Sequence, residues 1–524
     1  MLRTLTILCV LFFIAAAKAS DRPNVIVILM DDMGFSDLAS YGGEANTPNI
    51  DRLAKNGLRF RQFYQGARCC PTRAQLMTGV YAHQAGVGRM TGDRSENPAY
   101  SGTIPLDVPL VSEVMRDAGY FTAQAGKWHM SVEPQSYPHR RGFERVYGTK
   151  VGGLYYDIAL NSVWEDGKIL YDRGGPLPEG WHGTDQWNDH ATKFMNEAVD
   201  DGRPFFIYLA HVAPHFPIQA PDDLVEQYRG KFMKGWNALR HDRLQRQKAM
   251  GLFDESVELT EWPLNVPLWE SLSPQKQAEL DYLQAVYMAS IEAADQGIGR
   301  LLHDLERRGQ LENTLIMLLS DNGGNAESGW QGQVRGNGGS DHPRLGMAGG
   351  PGIFVGSGWA TLQNTPLRDY KHDADEGGIR TPMIVHWPAG IAEERRGGWL
   401  DAVGHIIDIA PTCADLAGAE TSAEFEGQSL LPILRGEAAT RSTPLFWEHE
   451  GNAAMRDGKW KLVRAQGSGW RLYDMDADPV ENRNLAFDEP DRLDAMAAAW
   501  QAWADRVGVI DFQTYNLAKP ARSR

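Results

Sequence analysis

The chain has 524 residues, more than one hydrophobic core normally organises, so one large domain with a smaller appendage is expected. Lys and Arg number 52 against 68 Asp and Glu, and the resulting formal charge of -16 argues against nucleic acid and against anionic membrane surfaces as partners. A hydrophobic content of 42% supplies a real core, and an anionic substrate must then meet a local positive site.

Met1 to Ala19 combines Arg3, an apolar run from Leu5 to Ile14, and Ala17-Lys18-Ala19. This reads as a secretory signal peptide cleaved before Ser20, too short to span a bilayer, so an exported, periplasmic or secreted protein is expected. Cys9 follows Leu8 and lacks the small preceding residue of a lipoprotein site, so no stable membrane anchor is expected. Of 4 cysteines, Cys69, Cys70 and Cys413 remain, an odd number and no disulfide framework.

Asn24 to Met30 is a continuous β-branched and apolar run, the pattern of a strand buried on both faces of a parallel sheet. It ends at Asp31-Asp32, where open α/β sheets place their ligands. Paired acids can also cap a helix, but Met33-Gly34-Phe35 opens none. Thr47-Pro48 caps the next helix and Gly57 ends it, with Ile50, Leu53 and Ala54 inward. Leu58 to Tyr64 leads into Cys69-Cys70-Pro71-Thr72-Arg73-Ala74-Gln75-Leu76-Met77-Thr78-Gly79. Proline is favoured at a first helical position and glycine just past the last turn, so Pro71 and Gly79 bracket a short helix. The cysteines then lie at its positive end, where an oxyanion is favoured and Arg73 adds a permanent charge. A structural cysteine pair is the competing reading. A Cys-x5-Arg phosphatase loop is excluded, because Gln75 and Leu76 stand at the two possible arginine positions.

Val111 to Ala118 reads as a helix stopped by Gly119, and Tyr120 to Gln124 as a strand delivering Gly126-Lys127-Trp128-His129. Lys127 and His129, two apart in extended chain, can face one side. Phe205 to Leu209 repeats the design and delivers His211-Val212-Ala213-Pro214-His215-Phe216-Pro217, whose prolines fix the loop. Between Asp222 and Gly251 lies a helical, basic segment with Lys231, Lys234, Arg240, Arg243, Arg246 and Lys248, expected as a solvated surface. Ser273-Pro274 opens a long helix whose stripe from Leu280 to Leu305 is core, closing at Gly309. Thr314 to Leu319 is another apolar strand and leads to Asp321-Asn322-Gly323-Gly324. Gly323 to Ala360, with Trp330, Arg335 and Trp359, has too little periodicity for regular structure.

Arg368-Asp369-Tyr370-Lys371 precedes Glu376 to Pro382 and a strand at Met383 to His386, and His405 to Ala417 looks helical. Beyond about residue 440 come short strands at Leu445 to Trp447, Ala453 to Met455, Trp460 to Val463 and Trp470 to Tyr473. Asp457-Gly458 is a hairpin turn, and a last helix after Pro490 turns Leu493, Met496, Trp500, Trp503 and Val507 inward. The expected division is a catalytic α/β domain at 20–440 and an antiparallel sheet with a covering helix at 441–524.

Asp31-Asp32, Lys127 with His129, His215 and Asp321-Asn322 all follow strands whose ends converge in an α/β sheet. Three carboxylates and an amide suit calcium or magnesium rather than zinc, and Lys127 and Lys371 would add positive charge. His405 and Asp408 read as a packing pair, and Glu448-His449-Glu450 lacks the second histidine of a zinc protease motif. His372, Asp373 and Asp375, which flank Lys371, read as a solvated loop.

The stretch Cys69-Cys70-Pro71-Thr72-Arg73, followed by Leu76-Met77-Thr78-Gly79, resembles the sulfatase signature Cys-x-Pro-Ser/Thr-Arg…Leu-Met-Thr-Gly. The resemblance covers nearly the whole mature chain and looks closest to bacterial arylsulfatases among the formylglycine-dependent (type I) sulfatases of the alkaline phosphatase superfamily. It implies an alkaline-phosphatase-like α/β sandwich on a mainly parallel sheet, with a carboxyl-terminal four-stranded antiparallel subdomain. It also implies that Cys69, and not Cys70, is oxidised to formylglycine by a formylglycine-generating or sulfatase-maturing enzyme. One hydroxyl of the hydrated aldehyde then attacks sulfur and the other expels sulfate.

By the same resemblance Asp31, Asp32, Asp321 and Asn322 match the ligands of one calcium ion, magnesium being possible, with modified Cys69 beside it. Arg73 matches the arginine that holds the formylglycine, Lys127 and Lys371 the sulfate-binding lysines, and His129 the residue that assists hemiacetal breakdown. His215 matches the histidine on the leaving-group oxygen, and His211 is a decoy. The implied substrate is a sulfated small molecule or carbohydrate. The alternatives are a formylglycine-dependent phosphodiester or phosphonate monoester hydrolase and an exported binding protein with unmodified Cys69. Loops near 89–100, 152–181 and 323–360 are expected to shape the leaving-group pocket.

Overall fold

A computed structural model describes residues 22–92, 95–131, 133–158, 161–334, 342–421, 423–438 and 440–517. The expected signal peptide and Arg335 lie outside these residues. Among the described residues no helix is long and apolar enough to cross a membrane.

The strands in chain order are β1 (Asn24–Met30), β2 (Leu58–Tyr64), β3 (Phe121–Lys127), β4 (Arg145–Thr149), β5 (Val163–Glu165), β6 (Lys168–Tyr171), β7 (Phe205–Ala210), β8 (Thr314–Ser320), β9 (Gln333–Val334), β10 (Ile353–Phe354), β11 (Arg380–Thr381), β12 (Met383–His386) and β13 (Gly398–His405). The large sheet runs β11-β2-β12-β8-β1-β7-β3-β4-β5-β6, with β13 beside β2. Its centre, β8-β1-β7-β3-β4, is parallel throughout, so the carboxyl ends of β1, β3, β7 and β8 open on one edge.

The helices that frame the site are α1 (Pro48–Lys55), α2 (Cys69–Thr78), α3 (Val111–Asp117), α4 (Gly183–Asp200), α5 (Asp222–Tyr228), α6 (Trp236–Ala249) and α7 (Pro274–Arg307). Strand β1 shows why its sequence is apolar without alternation. Ile26, Ile28 and Met30 pack in one core with residues of α1, α4 and α7, and Val25, Val27 and Leu29 in a second core with residues of α2 and α3. Every residue of β1, β7 and β8 is buried, as a doubly covered parallel sheet requires.

Helix α2 begins at Cys69, two residues before the expected start, because Thr72 N donates to Arg68 O at 2.9 Å. Pro71 therefore sits within the first turn, where its missing N–H costs nothing. Gly79 closes the helix at φ 70°, as expected. Thr47 makes no side-chain cap for α1; Asp295 of α7 instead accepts from Asn49 N at 3.1 Å and Ile50 N at 2.8 Å.

Three local expectations are corrected. The basic segment is not simply solvated: Arg243 is wholly buried and pairs with Asp37 and Glu44, and Arg240 is buried as well. The glycine-rich stretch holds the β9–β10 pair and a helix at Gly356–Gln363. His405 ends β13 rather than starting a helix, and the helix proper is Ile409–Ala417, with Asp408 Oδ2 accepting from His405 N.

The carboxyl-terminal sheet, β14 (Leu445–His449), β15 (Asn452–Asp457), β16 (Trp460–Arg464) and β17 (Arg471–Asp474), is antiparallel in sequence order. The helix Pro490–Val507 covers it through Met496, Trp500, Trp503 and Val507. Lys461 of β16 reaches Glu376 at 2.8 Å and Glu481 at 2.7 Å with all three side chains fully buried.

Candidate active site

The carboxyl edge of the sheet brings the expected residues together. Asp31 and Asp32 follow β1 directly, and Asp32 adopts φ 67°, which turns the chain so that neighbouring carboxylates share one pocket. Asp321 and Asn322 follow β8, Lys127 ends β3, and Cys69 and Arg73 lie in the first turns of α2. Cys69 Sγ lies 3.5 Å from Asp31 Oδ1, 3.9 Å from Asp32 Oδ1 and 3.4 Å from Asn322 Oδ1.

Positive groups surround these oxygens. Lys127 Nζ is 2.6 Å from Asp31 Oδ2, and Lys371 Nζ is 2.6 Å from Asp32 Oδ1. Arg73 donates to Asp321 Oδ2 from Nε at 2.9 Å and approaches it from Nη2 at 2.7 Å, while Nη1 donates to Lys127 O at 3.2 Å and Tyr208 Oη at 3.3 Å. Sequence reasoning missed Tyr208 and also Asn325, whose Nδ2 donates to Asp32 Oδ2 at 2.7 Å. Asn325 lies three residues beyond Asn322, and that proximity to a site residue was its only signal.

The histidines differ in environment. His129 adopts φ 54° rather than the expected extended conformation, and its buried Nδ1 has no hydrogen-bond partner among the described residues. Burial, then the charges of Lys127 and Arg73, hold it well below the usual imidazole range. His215 Nδ1 meets Phe216 O at 2.5 Å, which leaves Nε2 to face Asp32 Oδ2 at 3.7 Å. Burial lowers His215 to about 4, against the pull of Asp32 and Asp31. Gly152 leaves room for this ring, since a Cβ there would come within 3.2 Å of His215 Nδ1. His211 is fully buried and lowered to about 3 by burial, against the weaker pull of Asp185.

The carboxylates split. Burial opposes ionisation of Asp31 and Asp32, yet the surrounding cations keep both below the usual range. Burial, reinforced by Asp31, pushes Asp321 up to about 7. Burial and then Asp321 push the Cys69 thiol far above its ordinary value, so an unmodified cysteine here stays protonated.

The loop around Lys371 is not solvated. Asp375 is buried against Arg471 at 2.7 Å, and His372 N donates to Ala67 O at 3.0 Å. Asp369 and His372, at φ 61° and 84°, shape the turn that aims Lys371 inward.

The sulfatase family's sequence profile matches residues 23–419 of this chain, a span that includes every one of these site residues. The chain belongs to the sulfatase family. A second profile, for the carboxyl-terminal part of N-sulphoglucosamine sulphohydrolase, matches residues 370–501. This sulfatase is 33% identical over 433 residues to an arylsulfatase of Klebsiella aerogenes, covering 80% of this chain and 92% of that one. It is 29% identical over 535 residues to an N-acetylglucosamine-6-O-sulfatase of Bacteroides thetaiotaomicron, covering 89% and 83%. Among solved structures, Ps i-CgsB in complex with a neocarrahexaose superposes with a TM-score of 0.67 at 26% identity, covering 92% of this chain and 93% of that one. The sulfatase is thus a sulfuric ester hydrolase with the alkaline-phosphatase-like fold.

Proposed function

We propose that this sulfatase cleaves sulfate monoesters with Cys69 carried as formylglycine and one calcium ion held by Asp31, Asp32, Asp321 and Asn322. The observation that carries the reading is Cys69 itself. Its Sγ lies 3.4–3.9 Å from oxygens of Asp31, Asp32 and Asn322, so a nucleophile carried at this position stands directly beside the proposed cation. The same position at the start of α2, with Arg73 within the next turn, suits an oxygen nucleophile and a tetrahedral oxyanion.

The donor chemistry fits a hard cation. Three carboxylates and one amide carbonyl offer oxygen alone, and all are buried. Calcium bound there would polarise a sulfate oxygen. Lys127 and Lys371 stay charged, because their aspartate partners outweigh burial, and they supply the remaining sulfate contacts. Arg73, fixed by Asp321, Tyr208 and the Lys127 carbonyl, holds the modified side chain in register.

His129 is held neutral with an unpartnered Nδ1, the state needed to accept a proton when sulfate is expelled from the nucleophile. His215 presents Nε2 to the leaving-group oxygen, and the negative charge of a bound ester favours the imidazolium that donates there. The reading includes a maturing enzyme during biosynthesis and export by the leader at residues 1–19.

Peptide mass spectrometry of protein coexpressed with a maturing enzyme, paired with turnover of 4-nitrophenyl sulfate, tests the reading. Formylglycine at 69 and cysteine at 70 are expected in active protein. Full activity with an intact thiol at 69 would overturn the mechanism. Faster hydrolysis of a phosphonate monoester or bis(4-nitrophenyl) phosphate would reassign the substrate.

A further inference from the structure

The turn that carries Asp31 and Asp32 is tied down one N–H at a time. Asp31 N donates to Ala213 O at 3.1 Å, Asp32 N to Asp321 Oδ1 at 3.3 Å and Met33 N to Ser320 Oγ at 3.0 Å. Those acceptors lie at or just beyond the ends of β7 and β8. The next N–H, that of Gly34, turns the other way and donates to Asp37 Oδ2 at 2.9 Å.

Asp37 is the middle of a buried chain of polar groups that links α6 to α7. Its Oδ1 accepts from Arg243 Nη1 of α6 at 3.1 Å, and its Oδ2 lies 2.7 Å from the hydroxyl of Tyr287 on α7. Arg243 Nη1 also donates to Leu362 O at 2.9 Å, so the guanidinium is fixed from a second side. Arg243 and Asp37 are wholly buried and Tyr287 is 1% exposed. Water therefore does not compete for these bonds.

Tyr287 is where the chain of groups meets the site. Its hydroxyl lies 3.3 Å from Asp32 O, so its single proton is shared between the Asp37 carboxylate and the Asp32 carbonyl. Asp32 has φ 67°, a left-handed conformation that a residue with a side chain keeps only where its surroundings impose it.

The same backbone decides where the Asp32 carboxylate goes. Its Oδ1 is 2.6 Å from Lys371 Nζ, and its Oδ2 accepts from Asn325 Nδ2 at 2.7 Å and faces His215 Nε2 at 3.7 Å. Asn325 holds the carboxylate and Tyr287 the carbonyl, and both residues line one small cavity. Loss of the phenolic hydroxyl leaves the buried carbonyl without that donor, and the turn can then relax and draw the carboxylate away from Asp31, Asp321 and Asn322.

We infer that Tyr287, set in place by Asp37 and Arg243, is a positioning residue for Asp32, and that its hydroxyl raises the affinity of the cation site without touching the cation. This rests on the calcium reading and deepens it. It also gives Arg243 a part in the site, although 206 residues separate it from Asp37 in sequence.

Tyr41 supplies the control for a merely structural role. It is fully buried in the same core as Tyr287, and its hydroxyl donates to Phe60 O and Met383 O, both at 2.9 Å and neither in a site residue.

The test measures calcium affinity of the matured full-length protein by competition with a chromophoric chelator, and follows 4-nitrophenyl sulfate turnover over the same calcium range. Tyr287→Phe, which keeps the ring, is expected to raise the calcium Kd about tenfold or more and to regain wild-type kcat/KM at saturating calcium. Asp37→Asn is expected to move the Kd in the same direction, and if that variant does not fold Tyr287→Phe decides alone. Tyr41→Phe is expected to lower the urea midpoint and leave the Kd unchanged. An unchanged Kd in Tyr287→Phe overturns the inference and leaves the calcium reading standing. So does an equal rise in Tyr41→Phe, which would mean a general loosening of the core, or a loss of turnover that calcium does not restore. Wild-type protein that binds no calcium removes the reading and the inference together.

Discussion

Lys461 and Glu376 meet at 2.8 Å with neither side chain exposed, and they join the small antiparallel sheet to the segment that carries Lys371. Glu481 completes the junction, accepting the Glu376 N–H at 2.8 Å and facing Lys461 at 2.7 Å. Arg471 of β17 and Asn452 of β15 hold the same segment through Asp375 and the His372 carbonyl. The carboxyl-terminal sheet therefore clamps the segment that carries Lys371.

Removing the cation from that junction should be costly. Lys461→Met strands two buried carboxylates, and a loss of about 3–5 kcal/mol in urea unfolding is expected. Lys461→Arg should recover part of that loss. A Met variant as stable as wild type would show that the buried carboxylates simply protonate.

Metal binding should depend on Asn325 as well as on the ligands. Asp321→Asn is expected to lose metal and activity together, by on the order of a hundredfold. Asn325→Ala, which removes the 2.7 Å bond to Asp32, should weaken metal affinity about 10- to 100-fold with the ligand set intact. Inductively coupled plasma spectrometry with a chelator titration reads both, and normal occupancy in Asp321→Asn would contradict the assignment.

His215→Ala should separate substrates by leaving group. A general acid matters most for poor leaving groups, so sugar or alkyl sulfates should slow by about a hundredfold or more while activated aryl sulfates slow far less. Lys127→Ala and Lys371→Ala should slow every substrate, because the proposal places both lysines on the sulfate. Equal damage across a series of leaving-group pKa values in His215→Ala would place that histidine on sulfate instead.

Asp295 gives stability a pH dependence. Burial, with Asp51 adding to it, pushes its carboxyl up to about 6 against the Ile50 and Asn49 donors. A carboxyl whose folded pKa is raised above 3.8 contributes stability that is fully present below the unfolded pKa and lost as pH rises through about 6. The fall amounts to roughly 3 kcal/mol. Asp295→Asn should flatten the wild-type decline between pH 4 and 7 in urea unfolding, and an unchanged slope would rule this group out.

Much of the site was legible because it hangs on strands whose pattern is unmistakable. Apolar runs at 25–30, 205–209 and 315–319 are not solvated on either face, and Asp31, Asp32, His215 and Asp321 follow them. Cys69 and Arg73 came from local motif and cap chemistry. What escaped depends on pairings without local periodicity. The cap of α1 comes from Asp295, 245 residues from Ile50, and Arg243 is buried only because Asp37 and Glu44 come to meet it. His372 looked like part of an open loop, and His449 a failed zinc motif, because one strand of a distant sheet brings them together.

The complete burial of helix α2 fixes an order of events in the life of the molecule. Cys69 is 1% exposed and its neighbours on the helix are enclosed on every side, so no enzyme can reach the thiol once the sheet has closed over it. The proposed oxidation of Cys69 would then have to happen on a chain still open, and a molecule that folded first would keep its thiol. Under that proposal specific activity is set at synthesis, as the fraction of chains caught in time, and protein refolded with its thiol intact is expected to show no turnover.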